Sequence, residues 1–248
     1  MTDIDHYRRQ TAAIGTITPS GNLVVERVTT AILADFPHVS GHYSRAPVHG
    51  ASQVLLDSYD WDAFLGAADL LSHAKPGVIC WNGSRGGSIA FAIDHELCRR
   101  VTAQTGIPAI TSTTALEAVF RGTGVRRVGL VTPYEQTYQR KVMEVFGREG
   151  FSVVADAGSG LTDNFSYAAV PDAEIVGMMR TVAAAKPDAI VAYCTNFPAA
   201  HLVDAMEREL GVPVYDSVSI GVWQALRKLG IATAPGRRWG SLFGRDDL

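Results

Sequence analysis

Val128-Gly-Leu-Val-Thr-Pro133 repeats the run Ile14-Gly-Thr-Ile-Thr-Pro19, and Lys186-Pro-Asp-Ala-Ile190 repeats Lys75-Pro-Gly-Val-Ile79. The first pair reads as a short β-branched strand stopped by a proline turn. The second reads as a helix end entering a strand. A period of roughly 110 residues is far too long for a solenoid, so it is read as two similar α/β lobes facing each other. The plainer alternative is that strand–turn patterns recur by chance in any α/β chain.

Working outward, short β-branched runs alternate with helical patterns, as in βα units around a parallel sheet. Strands are expected over 13–18, 77–81, 109–111, 127–132, 152–155, 189–194 and 212–215, and helices over 88–105, 135–149, 173–185 and 199–210. Another helix is expected after Ser112, where Thr114 and Glu117 fit the S/T-x-x-E capping box and PAITST runs into it as a strand. The expected class is α/β, with two pseudo-symmetric lobes, each a parallel sheet flanked by helices, and an active site in the cleft between them.

Composition narrows the functions. The 248 residues carry 22 Lys and Arg against 25 Asp and Glu, a net charge of −3, with the basic residues scattered rather than striped. A nucleic-acid partner is therefore not expected. MTDIDHYRRQTAAIG has no apolar leader core, and no run approaches the ~18 apolar residues of a membrane span, so no membrane and a cytoplasmic location are expected. Cys80, Cys98 and Cys194 are odd in number and lack metal-ligand spacing, which points to free thiols rather than a disulfide framework or zinc.

Ligands of open α/β sheets sit beyond the carboxyl ends of the strands. Here those ends carry Pro19-Ser-Gly-Asn22, Asn82-Gly-Ser84, Pro133-Tyr134 and Cys194-Thr-Asn196. PSGN and Gly83-Ser-Arg-Gly-Gly87 can turn backbone amides toward an anion such as a carboxylate, or they are simply tight turns. Neither has the spacing of a dinucleotide or NTP loop. Cys194 closes an apolar run before a helix, where terminal amides would lower its pKa and fit it for proton transfer; a small buried core residue is the alternative. Cys80 and Cys98 read as core. Tyr134 can donate a phenolic hydrogen bond, and Asp163-Asn164 lies in a polar loop, 158–164, long enough for a lid.

The stretches TGIPAITSTTALEAVFRGTGVRRVGLVTPY (105–134), CTNFPAAHLVDAMER, ELGVPVYDSVSIGVW and the ending GRRWGSLF resemble the maleate isomerase/arylmalonate decarboxylase family of the aspartate/glutamate racemase superfamily. The resemblance implies a C-terminal segment that returns to the first lobe, giving lobes of 1–118 plus 217–248 and of 119–216. It also implies no metal or organic cofactor, and a cleft for a small carboxylate or dicarboxylate; assembly into a homo-oligomer stays open. Isomerases and racemases of this kind oppose two cysteines, one per lobe, whereas the decarboxylases keep the second and have glycine at the first.

In this chain the second cysteine matches Cys194, and gapless alignment from Lys75 puts the first position on Gly83. Cys80 would serve as a second thiol only after a three-residue slip. Ser84 and Tyr134 match the family's anion-hole donors, with the Thr195 amide beside them, while Asn22 and Asn164 resemble the isomerases' carboxylate-binding asparagines. Arg85 stands where the decarboxylase has a small hydroxyl residue. The resemblance thus implies a substituted-malonate decarboxylase with Cys194 as proton donor. The rivals are a two-cysteine cis-trans isomerase or racemase, and a non-catalytic carboxylate-binding protein. A side chain at Gly83 should face the side of the substrate that Cys194 does not reach, so Gly83→Cys is expected to gain racemase activity.

Overall fold

A computed structural model describes residues 12–48 and 58–248; the opening MTDIDHYRRQT lies outside them. The first lobe contains β1 (Ala12–Pro19), α1 (Val25–Leu33), β2 (Val39–Ala46), α2 (Trp61–Ser72), β3 (Val78–Trp81), α3 (Gly86–Ile89), α4 (Phe91–Thr105) and β4 (Ala109–Thr111), followed by α5 (Ser112–Thr123). The second contains β5 (Arg127–Tyr134), α6 (Gln136–Arg148), β6 (Ser152–Leu161), α7 (Asp172–Ala183), β7 (Ala189–Ala192), α8 (Val203–Leu210) and β8 (Val214–Asp216), followed by α9 (Ser217–Lys228). Both sheets are four-stranded and parallel, in the orders β2-β1-β3-β4 and β6-β5-β7-β8.

The repeat is a structural duplication. Among the described residues only Lys75 and Lys186 are non-glycines with positive φ, at 51° and 52°. This left-handed conformation is uncommon for a residue bearing a Cβ, and both lysines use it to turn a helix end into a strand. Beyond them, Asn82 N–H donates to Ile17 C=O at 3.0 Å and Tyr193 N–H donates to Val131 C=O at 2.9 Å. These equivalent bonds make Asn82 the counterpart of Tyr193, and hence Gly83 the counterpart of Cys194, one residue on.

Central strands β1, β3, β5 and β7 are buried on both faces, as parallel sheets covered by helices require. The helices after the last strand of each lobe cross over. Phe120 of α5 packs on Phe151 and Phe146 of the second lobe, with ring centroids 4.9 and 6.4 Å apart. α9 returns to the first lobe, where Val218 joins Val24 and Val25 in a buried cluster.

Several local expectations need correction. The capping box of α5 is Thr111 with Thr114, one helical turn before the expected Thr114–Glu117 pair: Thr111 Oγ1 accepts from Thr114 N–H at 3.0 Å, and Thr111 N–H donates to Thr114 Oγ1 at 2.9 Å. Thr111 ends β4 in an extended conformation, as an N-cap must. Glu117 instead receives His95 and Arg121. The helix expected over 88–105 is broken at Ala90, whose φ and ψ of −172° and 148° are extended. Residues 158–161 of the expected lid belong to β6, which pairs with β5 as far as Tyr134↔Leu161 through two register shifts.

Candidate active site

The carboxyl ends of both sheets meet at one cleft. Cys194 follows β7 and is buried, 4% exposed. Its Sγ accepts the Asn196 N–H at 3.3 Å and is reached by the Tyr134 hydroxyl. The expected helix does not begin beside it: the chain runs through Ala199 before a short 3-10 turn and α8. Burial therefore dominates the thiol's acidity, pushing its pKa up to about 12, while the bonds from Tyr134 and Asn196 pull the other way and the nearby Asp216 adds to the rise. The lowered pKa expected from sequence is thus reversed, because loss of solvent disfavours the thiolate more than one amide and one phenol stabilise it.

Tyr134, at the end of β5, is likewise buried and its pKa is raised, chiefly by desolvation and then by Cys194, so it stands as a neutral phenol donor. Its Oη lies 3.3 Å from Ser84 Oγ, which comes from the loop after β3. Tyr138 packs on Tyr134, rings 4.6 Å apart, and donates to Ser88 Oγ at 2.8 Å.

The two asparagines and Thr195 form the other rim. Asn22 Oδ1 accepts the amides of Val24 and Val25, both at 2.8 Å, which leaves its Nδ2 to donate to Thr195 Oγ1 at 3.4 Å. Asn164 Nδ2 donates to Gly21 C=O at 3.4 Å. Asn196 joins them: its Oδ1 accepts Leu23 N–H at 2.8 Å and its Nδ2 donates to Asn164 C=O at 2.6 Å. Hydrogen bonds within and between the lobes thereby bring Ser84 to Tyr134 and Cys194, and Asn22 and Asn164 to Thr195 and Asn196.

Cys80 is not among them. Its strand turns it toward α9, where Sγ lies 4.0 Å from Gly221 C=O, and burial pushes its pKa up. Cys98 is half-buried on α4. Gly83 is the counterpart of Cys194 in the first lobe, but a Cβ there would fall inside the van der Waals envelope of the Trp81 indole. The racemase expected of Gly83→Cys alone therefore lacks the room it needs. Burial raises the Tyr138 pKa, and Arg85 lies near enough for its charge to oppose that rise.

Sequence reasoning passed over Tyr193, whose hydroxyl donates to Ser84 C=O at 2.9 Å and sits 3.2 Å from Thr113 Oγ1, tying the two strand ends together. It also passed over Asp94 and Asp216, both buried, with pKa values raised to about 7 and about 6 mainly by desolvation. Tyr193 follows the end of β7 and Asp216 ends β8, which was a usable signal; Asp94 lies inside a helix and carries none. Among the described residues no group of three or more His, Cys, Asp or Glu could hold a metal ion, and no helix is long and apolar enough to cross a membrane.

Comparison with known proteins agrees with this architecture. A maleate isomerase from Nocardia farcinica is 28% identical over 89% of this chain and 91% of its own. An arylmalonate decarboxylase from Bordetella bronchiseptica is 26% identical over 94% of this chain and 97% of its own. The structure of the Nocardia farcinica maleate cis-trans isomerase, as a cysteine-to-serine mutant with a covalently bound succinylcysteine intermediate, superposes with a TM-score of 0.83 at 25% identity, covering 94% of this chain and 98% of that one. The family model described as arylmalonate decarboxylase matches residues 85–243, well over half the sequence, and this chain belongs to that family of enzymes.

Proposed function

We propose that the protein is a cofactor-independent decarboxylase of a substituted malonate and that Cys194 is its proton donor. Bound with one carboxylate near Ser84, Tyr134 and the Thr195 amide, the malonate loses its other carboxylate as CO2. The electron pair of the broken C–C bond becomes an enediolate facing those donors. Preorganised donors of this kind contribute roughly 3 kcal/mol each to such an intermediate. Cys194 then gives its S–H proton to the α-carbon, and the resulting thiolate regains a proton from solvent.

The observation that carries this reading is a single buried thiol at the carboxyl end of β7 whose counterpart in the first lobe is Gly83. Burial, which pushes its pKa up to about 12, favours the acid form of Cys194 at neutral pH, as a proton donor requires. Asn22 and Asn164, held in the rim by Thr195 and Gly21, favour a second reading, maleate-type cis-trans isomerisation or racemisation of a dicarboxylate. That chemistry needs a thiolate to attack the alkene or a second thiol to work the opposite face, and Cys80 points away from the cleft. The cleft is taken to lie between lobes of 1–118 plus 217–248 and of 119–216.

Wild-type protein is offered an arylmalonate, maleate and single enantiomers of aspartate while CO2, alkene absorbance and optical rotation are followed. The expected result is CO2 release from the arylmalonate, with Cys194→Ala lowering turnover by roughly 10²–10⁴-fold and leaving affinity for the malonate nearly unchanged in calorimetry. Fumarate production from maleate would instead support the isomerase, and binding without any turnover a non-catalytic carboxylate-binding protein.

A further inference from the structure

The two halves of the duplication differ in how they fill the space beside their equivalent positions. Two residues before Cys194 stands Ala192; two residues before Gly83 stands Trp81. Gly83 and Cys194 lie just past the ends of β3 and β7, and in the first lobe the Trp81 indole takes the room that a Cβ at Gly83 would need. The small residue and the side-chain-bearing one are exchanged between the lobes: Ala then Cys in the second, Trp then Gly in the first.

Trp81 is held by Phe64 and Tyr59. It is 2% exposed and packs edge-on against Phe64, centroids 4.6 Å apart with planes at 81°, and against Tyr59 at 6.2 Å and 79°. Its indole N–H donates to the Tyr59 hydroxyl at 3.3 Å, and that hydroxyl donates to Asp94 Oδ2 at 3.2 Å. Asp94 is itself buried and lies over Gly86, where a Cβ would collide with its carboxylate. The loop carrying Ser84 thus runs beneath a rigid chain from Trp81 through Tyr59 to Asp94, none of which the proposed chemistry uses.

We propose that Trp81 is the specificity-determining residue of the cleft, a wall that Tyr59 and Asp94 hold over Gly83, so that a planar intermediate receives its proton only from the Cys194 side. The inference rests on the one-thiol reading above and deepens it. It means that glycine at position 83 is not sufficient to define the site: the wall accompanies it, and a thiol on the opposite face requires removal of both.

The test compares Trp81→Ala, Gly83→Cys and the pair Trp81→Ala/Gly83→Cys. Native thiols are counted with a chromogenic disulfide, and α-proton exchange of enantiopure 2-phenylpropanoate in D2O is followed with its optical rotation. In Gly83→Cys alone the added thiol should stay unreactive, or the thermal midpoint should fall, with exchange at the wild-type level. The pair, which copies Ala192 and Cys194, should show one more reactive thiol than Trp81→Ala and at least tenfold faster exchange with loss of rotation. Trp81→Leu/Gly83→Cys, leaving a smaller void, gives the same readout should the first pair not fold. A Gly83→Cys protein with a native midpoint, a reactive new thiol and exchange equal to the pair's overturns the wall. A pair whose new thiol reacts while exchange stays at the wild-type level leaves the wall standing and counts against Cys194 as the proton donor, so the two failures are distinguishable.

Discussion

At Cys194 two influences on acidity compete, and burial wins. The position after β7 was legible from sequence, because an apolar run ending in Cys-Thr-Asn marks a strand end. The sign of the pKa shift was not, because it depends on how much solvent the opposing lobe removes. Cys80 shows the converse. Its place inside Val78–Trp81 already suggested a packed thiol, and the Gly221 carbonyl beside its Sγ supplies the packing partner. Cys80→Ser should therefore lower stability by about 1–3 kcal/mol, since a buried hydroxyl with a poor partner is destabilising, and should change kcat by no more than a fewfold. Denaturant melts beside steady-state rates check this, and a thousandfold rate loss in a folded variant would return Cys80 to the chemistry. Trp81 was invisible as a functional residue because only the structure shows its ring lying over Gly83.

Elements with strong local signals came through in sequence and those with weak ones did not. β4 was located at Ala109–Thr111 because PAITST is short, apolar and β-branched. β2, VSGHYSRA, is half exposed along most of its length at the sheet edge and carries glycine, histidine and serine, so neither alternation nor an apolar run marks it. β6 was foreseen only at its start: its second half, with two glycines, reads as loop, yet pairing with β5 holds it extended. The start of α5 was misplaced by one turn because STTALE offers the S/T-x-x-E pattern while the strand end at Thr111 takes the cap. Thr111→Ala should cost about 1 kcal/mol in chemical denaturation, whereas Glu117→Ala, which loses only half-exposed partners, should cost about 0.5 kcal/mol. The reverse order would mean that the cap lies at Thr114.

At the scale of the molecule, one duplicated unit has been used twice with different contents. Two pairs of matched hexamer- and pentamer-length runs were enough to reveal the duplication, since left-handed lysines, proline turns and central strands leave signatures in sequence. The crossing of α5 and α9 between lobes was not readable from local pattern; the return of the C-terminal segment followed from family resemblance alone. This crossing joins the lobes through a shared core and so helps set the distance at which Ser84 of the first lobe faces Tyr134 and Cys194 of the second. The most direct measurement is decarboxylation of a prochiral 2-aryl-2-methylmalonate by the wild-type protein in D2O, with CO2 quantified and the monoacid resolved by chiral chromatography and mass spectrometry. A single thiol on one face of a walled cleft predicts one CO2 per monoacid, one deuterium at the α-carbon and a single enantiomer; absence of CO2 release, or a racemic product, would contradict the account.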